Sequence, residues 1–183
     1  NQPNAQASTL NRVTGGGSAS QIFGKINAPG EVVLLNPSGV YIGKNASLDV
    51  GSITATTHST SDSDYMSGNA TYDRNGSTGS VINDGSIRAR FGGYVALLAP
   101  EVRNNGLIAA QQGSVVMASG EKITLNFDPS THLASIAVNP SQINSLIENN
   151  QAVEAPGGLI IMSAKVANNL IRGVINQTGS LST

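Results

Sequence analysis

The side chains that could carry chemistry are few and widely spaced. The two histidines, His58 and His132, lie far apart, and neither has a partner histidine at metal-ligand spacing. Cysteine is absent, which excludes a thiolate metal site and a disulfide framework alike. Both imidazoles are therefore expected to be solvated or bonded locally. The carboxylates are equally dispersed. Asp49, Asp84 and Glu101 fall in different segments, and Asp62 and Asp64 sit in a polar tract that reads as a solvated loop. Cleavage of a polysaccharide needs clustered acids, often with a metal and a basic group. Gly15-Gly16-Gly17-Ser18 lacks the lysine and the spacing of a phosphate loop, and it is no nucleophile elbow. The expectation is a protein with no catalytic residues, no metal site and no cofactor.

The 183 residues are polar without being charged. Asp, Glu, Lys and Arg make up 11% of the chain, against a usual share of about a quarter. Asn, Ser, Thr, Gln and 21 glycines take their place, and the formal net charge is −1. Such a balance offers no electrostatic footprint for nucleic acid and no basic amphipathic face for a membrane surface. No apolar run approaches the roughly 20 residues that span a bilayer. The lack of cysteine suits a chain that crosses an outer membrane unfolded, and chance absence explains it equally well. The opening Asn1-Gln2-Pro3 has no signal-peptide pattern and reads as the interior of a longer, trimmed sequence.

Val, Ile and Leu alternate with polar residues in short bursts, which is the pattern of strands. The bursts repeat. Val81-Ile82-Asn83-Asp84-Gly85-Ser86-Ile87 is followed by Val102-Arg103-Asn104-Asn105-Gly106-Leu107-Ile108, with Gly85 and Gly106 21 residues apart. Val174-Ile175-Asn176-Gln177-Thr178-Gly179 reads as a third copy. A second motif lies between them: Gly93-Tyr94-Val95-Ala96-Leu97-Leu98 matches Gly113-Ser114-Val115-Val116-Met117-Ala118 at a step of 20 residues, and Gly158–Ser163 and Gly30–Leu35 match again. One such unit cannot bury its own apolar face, but a stack of them can. Twenty-residue units made of strands predict an all-β parallel β-helix. The Leu-x-x-Leu-x-Leu framework of leucine-rich repeats is absent. Asn83, Asn104 and Asn176 are predicted to stack at one turn as a structural ladder. Asn45, Asn69, Asn75 and Asn176 each open an Asn-x-Ser/Thr triplet, which chance explains in so Asn-rich a chain.

Two stretches interrupt the repeat. From about 56 to 80 the chain is polar and reads mainly as loop, with Tyr65, Met66 and Tyr72 able to pin a small hairpin turning at Asp73–Gly76. From about 124 to 155, Leu125-Asn126-Phe127 and Ser135–Val138 form a hairpin around Asp128-Pro129-Ser130. Asn139 and Pro140 then suit an N-cap and first helical position, and the spacing of Ile143, Leu146 and Ile147 predicts a short flanking helix over 141–149. The whole of 1–183 is expected to be one domain with these two excursions.

Leu10-Asn11-Arg12-Val13-Thr14-Gly15, Ser20-Gln21-Ile22-Phe23-Gly24-Lys25-Ile26, and Gly30–Val40 with Tyr41–Ala46 and Thr54–Thr57 resemble the filamentous-haemagglutinin-type secretion domain (TPS domain) of two-partner secretion exoproteins. The resemblance is strong through residue 57 and looser through Val81–Ala118 and Gly157–Ser163. It implies a right-handed β-helix with extra-helical hairpins, passage through the Sec machinery into the periplasm, and a secreted or cell-surface destination. It also implies a partner: the periplasmic POTRA domains of an Omp85-type outer-membrane transporter, which start export of a long β-helical passenger. Family members carry further β structure and an N-terminal cap ahead of the position of Asn1, so a cap is expected to be missing here and the first rung's edge open.

The family's Asn-Pro-Asn-Gly-Ile motif falls on Asn36-Pro37-Ser38-Gly39-Val40, departing mildly at Ser38 and Val40. Read as residues, the segment is a tight turn with Pro37 at its second position. It serves as a corner that fixes register, as a transporter contact, or as both. Asn11, Arg12 and Val13 form the N-terminal family motif, with Arg12 expected to pair with a carboxylate or backbone carbonyls, or to make a contact. An alternative function is direct adhesion to a host glycan or protein through polar excursions bearing Tyr65 and Tyr72.

Overall fold

The computed structural model describes residues 2–183, and the expectation about an N-terminal cap lies outside them. The chain coils through three faces in turn. Strand β1 (Ser8–Arg12) opens on the third face, and β2 (Ser20–Ile22) lies on the first. Strand β3 (Lys25–Leu35) runs along the second face and bends onto the third. Strands β4 (Val40–Ile42) and β5 (Ser47–Thr56) repeat that path. The first excursion holds helix α1 (Asp62–Met66) and strand β6 (Thr71–Asp73). Two full coils follow: β7 (Ser80–Asn83), β8 (Ser86–Ala89) and β9 (Tyr94–Leu98), then β10 (Glu101–Asn104), β11 (Leu107–Ala110) and β12 (Ser114–Ser119). The second excursion is the hairpin β13 (Lys122–Phe127) and β14 (Leu133–Asn139). Strands β15 (Ser145–Asn149), β16 (Val153–Glu154), β17 (Leu159–Ala164), β18 (Gly173–Gln177) and β19 (Leu181–Ser182) complete the coil. Every pairing between coils is parallel, and the result is the parallel β-helix that the repeats predict, with the right hand that the resemblance implies.

Register explains the repeat. Val32, Ile53, Val95, Val115 and Ile160 occupy one column across the third face. Ile26, Leu48, Ile87, Ile108 and Val153 make another on the second, and Val40, Val81, Val102, Ile147 and Ile175 a third on the first. Val95 and Val115 are fully buried neighbours in one interior. Each coil contributes a few aliphatic side chains, and burial of one Val or Ile is worth about 2 kcal/mol.

The third face differs from the others because it is covered on both sides. Strands β9 and β12 are buried at every position, whereas β7, β8, β10 and β11 alternate. Outward-pointing Val33, Tyr94, Ala96, Leu98, Val116 and Ala118 pack under Tyr72, Ile123, Leu125, Leu133 and Val138. The cover is a three-stranded antiparallel sheet in the order β14, β13, β6. Both excursions contribute to it, and the first closes on itself only through the single antiparallel bridge Ser59–Asp73 at its root. Its only strand, β6, takes its ladder partner β13 from the second, with Lys122 opposite Asp73 and Thr124 opposite Thr71. Tyr72 anchors that junction and Met66 does not: it is 80% exposed.

Residues 141–149 depart from expectation. Ile143, Leu146 and Ile147 have helical spacing, yet Ser145, Ile147 and Asn149 are buried while Leu146 and Glu148 are partly exposed, the alternation of a strand. Strand β15 pairs with β10 and β18 on either side. Full ladders on two edges outweigh a weak local helical preference. The one helix among the described residues is α1, where Ser61 caps the first turn by accepting from the Asp64 amide.

Candidate functional site

The family-motif residues meet at one corner, between the third and first faces. Asn36 is buried there and makes three bonds. Its Nδ2 donates to the Ser18 carbonyl (3.1 Å) and to Ser20 Oγ (3.0 Å), and its Oδ1 accepts from the Ser38 amide (2.9 Å). The Gly39 amide donates to the Asn36 carbonyl at 2.9 Å, closing a four-residue turn around Pro37 and Ser38. Gly39 has φ +127°, which admits glycine far more readily than any other residue. Val40 points into the interior and only Pro37 and Ser38 face solvent. The next coil closes over them: Ser77 Oγ donates to the Pro37 carbonyl at 2.8 Å. The turn is thus clamped from below by Ser18–Ser20 and from above by the end of the first excursion.

The N-terminal motif splits between two directions. Arg12 turns outward to the first excursion. Its Nη1 donates to Asp62 Oδ1 at 2.6 Å and its Nη2 to the Thr60 carbonyl at 2.8 Å, so it makes both kinds of contact the sequence suggests. Asp62 is the first residue of α1 and is 83% exposed in its side chain, while Arg12 is 26% exposed. Asn11 and Val13 line a hollow of about 280 Å³ at the first coil, with Ile22, Ile26 and Leu34, and Arg12 borders it as well. Arg12→Gln is expected to lower stability by about 1 kcal/mol and to raise protease sensitivity across Thr60–Gly68, as read by limited proteolysis and urea titration. An unchanged cleavage pattern would show that the clamp holds nothing.

The roots of the excursions supply residues that the sequence does not single out. Arg74 forms a two-point pair with Glu121, Nε to Oε2 and Nη2 to Oε1, both 2.9 Å. The Arg74 amide also donates to the Glu121 carbonyl. The Arg74 guanidinium holds the Glu121 carboxyl below its ordinary range. His58 is fully buried, not solvated, and its partner is distant: Nε2 lies 2.8 Å from the carbonyl of Gly120. His132 is bonded locally, its amide donating to Asp128 Oδ1, which helps hold the Asp128 carboxyl low. Beside these roots an open cleft of about 590 Å³ is lined by Ser59, Ser61, Asp64, Asp73 and Glu121. Its acids are already engaged: Asp64 by Ser61 and Asn69, Asp73 by Lys122, Glu121 by Arg74.

Two polar ladders run along the corner between the first and second faces. The inner one is Asn83, Asn104, Asn149 and Gln177, each amide donating to the side-chain oxygen of the next at 2.7–3.0 Å. Asn176 is not a member: it lies one residue off, opposite Glu148 and facing out. The signal for Asn149 is the doublet Asn149-Asn150, which repeats Asn104-Asn105. The outer ladder links Tyr41, Asp84, Asn105, Asn150 and Thr178. Tyr65 and Tyr72 do not form a free aromatic surface. Tyr72 is buried under the excursion sheet, where burial pushes its hydroxyl pKa up, and the Tyr65 hydroxyl is 2.6 Å from Ser8 Oγ.

The TPS secretion domain family matches residues 1–183. A heme/hemopexin-binding protein of Haemophilus influenzae (strain ATCC 51907 / DSM 11121 / KW20 / Rd) is 35% identical over 182 residues, 93% of this chain and 19% of that protein. Another heme/hemopexin-binding protein of Haemophilus influenzae is 52% identical over 56 residues, 31% of this chain and 6% of that protein. The crystal structure of the HMW1 secretion domain from Haemophilus influenzae superposes with a TM-score of 0.82 at 28% identity, covering 100% of this chain and 46% of that one. The chain therefore spans under a fifth of the length of the protein relatives it matches.

Proposed function

This chain belongs to the TPS secretion domain family, and from that premise we propose that its clamped corner and excursion sheet form the surface a transporter reads. The family is a secretion module of exoproteins that a partner outer-membrane transporter exports. In this reading the transporter's periplasmic POTRA domains bind the domain in the periplasm, and the bound domain starts export and coil-by-coil folding of the passenger. The supporting observation is convergence. Asn36–Val40, the Arg12 clamp and both excursion roots share one corner, although the sequence spreads them over more than a hundred residues. Pro37 and Ser38 are the exposed tip of a turn whose every other part is buried. Strand β14 is an edge of the excursion sheet, and edges of this kind accept a strand from a partner.

Asn36→Ala removes three bonds of a buried amide and is expected to cost about 2 kcal/mol. The isolated variant is expected to keep its β-sheet circular dichroism and lose at least ten-fold in binding to the purified periplasmic part of the partner transporter. Pro37→Ala with Ser38→Ala changes only the exposed tip. It is expected to weaken binding without shifting the urea midpoint. If wild type and both variants leave the cell equally well without the partner transporter, the reading fails.

A further inference from the structure

We propose that His58 is an acid-sensitive latch that holds the two excursions together over the third face. The imidazole sits where both leave the β-helix. His58 follows β5 at the start of the first excursion, and its Nε2 bonds the carbonyl of Gly120, the first residue after β12. A carbonyl only accepts, so Nε2 carries the proton and Nδ1 is bare in the neutral ring. Nδ1 is buried with no hydrogen-bond partner among the described residues. The His58 amide is held by Thr56 Oγ1 at 2.9 Å. Gly120 in turn abuts the end of the hairpin, since a Cβ there would lie 2.4 Å from Val138 Cγ1 and 2.6 Å from the Asn139 carbonyl. One ring therefore joins the start of the first excursion to the start and end of the second.

A second proton would go on Nδ1, where a buried N–H meets no acceptor. The charged groups facing the ring are Arg74 and Asp73 from the first excursion and Glu121 from the second. Arg74 opposes a positive ring. The two carboxylates favour one, but Glu121 is taken by Arg74 and Asp73 by Lys122. Burial is the largest influence and pushes the His58 pKa below 6.5. With the excursions undocked, the ring regains its ordinary value near 6.5. The undocked state then binds more protons, so docking weakens as pH falls below 6.5, by at most about ten-fold per unit, until the docked ring itself titrates. Above that range the latch is closed.

The experiment is native-state hydrogen exchange on the intact domain between pH 7.5 and 5.0, corrected for intrinsic exchange. Over this window the Glu121 carboxyl, held below its ordinary 4.5, stays ionised. The reporters are the Arg74 and Leu125 amides, which bond Glu121 and Ala70 across the excursions, with Val95 and Val115 as coil references. In wild type, protection of the reporters is expected to fall about ten-fold while that of the references holds. In His58→Gln, whose amide can still donate to Gly120 but cannot titrate, it is expected to stay flat. Flat protection in wild type, or an equal fall in His58→Gln, overturns the proposal. If the variant does not fold, an NMR titration of the wild-type ring decides: a midpoint below 6.5 supports the latch, and one at or above 6.5 removes it.

Discussion

Gly113→Ala is expected to destabilise the domain by about 4 kcal/mol, at the exceptional end for one methyl group. Glycines stack in a column where the second face turns into the third. A Cβ at Gly93 would lie 1.9 Å from the Gly51 carbonyl oxygen, one at Gly113 1.8 Å from that of Gly93, and one at Gly158 1.8 Å from that of Gly113. Real Cβ atoms essentially never come within 3.0 Å of such a neighbour. Both obstacles are backbone, so no side chain can swing aside. The coils would have to part locally, beyond the roughly 4.8 Å that parallel strands keep. That would stretch the Ser114 amide bond to Gly93. A domain of this size has only about 5–15 kcal/mol in hand. Urea titration is expected to show a large drop in midpoint. Gly16→Ala, with nothing within 4 Å of its added methyl, is expected to change stability by less than about 0.5 kcal/mol. Equal behaviour of the two would falsify close packing as the reason for the column.

Asn104→Ala is expected to cost about 3 kcal/mol. Asn104 is fully buried, takes a bond from Asn83 and gives one to Asn149, both also fully buried. Its loss leaves the Asn83 amide with only a long bond to the Leu107 carbonyl (3.5 Å) and strips the Asn149 side-chain oxygen of its donor, and each such buried group costs about 1–3 kcal/mol. The matched control is Asn105→Ala in the outer ladder, where water replaces the lost partner and the change is expected to stay under about 1 kcal/mol. Thermal and urea unfolding of the two variants separate the cases. A similar loss at both positions would mean that the ladder stabilises through packing and not through its hydrogen bonds.

The coils are legible in the sequence because parallel stacking puts the same residue type at the same place in successive turns. Val95 and Val115 share a column for that reason, and so do Gly93 and Gly113. The double cover of the third face is not anticipated from the sequence, although Tyr94–Leu98 and Val115–Ala118 are apolar runs beside alternating neighbours. What escapes sequence reading depends on contacts between distant segments. Strand β15 carries a helical spacing that its neighbours on both edges overrule. Asn176 is the nearer match by local pattern, but the coil's register selects Gln177. Of the candidate site, the Asn36 turn is readable from its own residues, because Asn, Pro and Gly act locally. His58 is not, since its burial is set by Gly120 and the hairpin that follows, and nothing around His58 in the sequence announces either.

The sheet built from both excursions also governs how the domain yields to tension. A plain stack gives way one turn at a time, since each turn grips only those beside it. Here β6 and β13 join segments that spring from β5 and β12, with β9 lying between them. Force on either terminus peels the outer turns singly until it reaches this splice. From there β5, β9 and β12 part together or hold together, so the middle of the domain acts as a stop against unravelling from both directions.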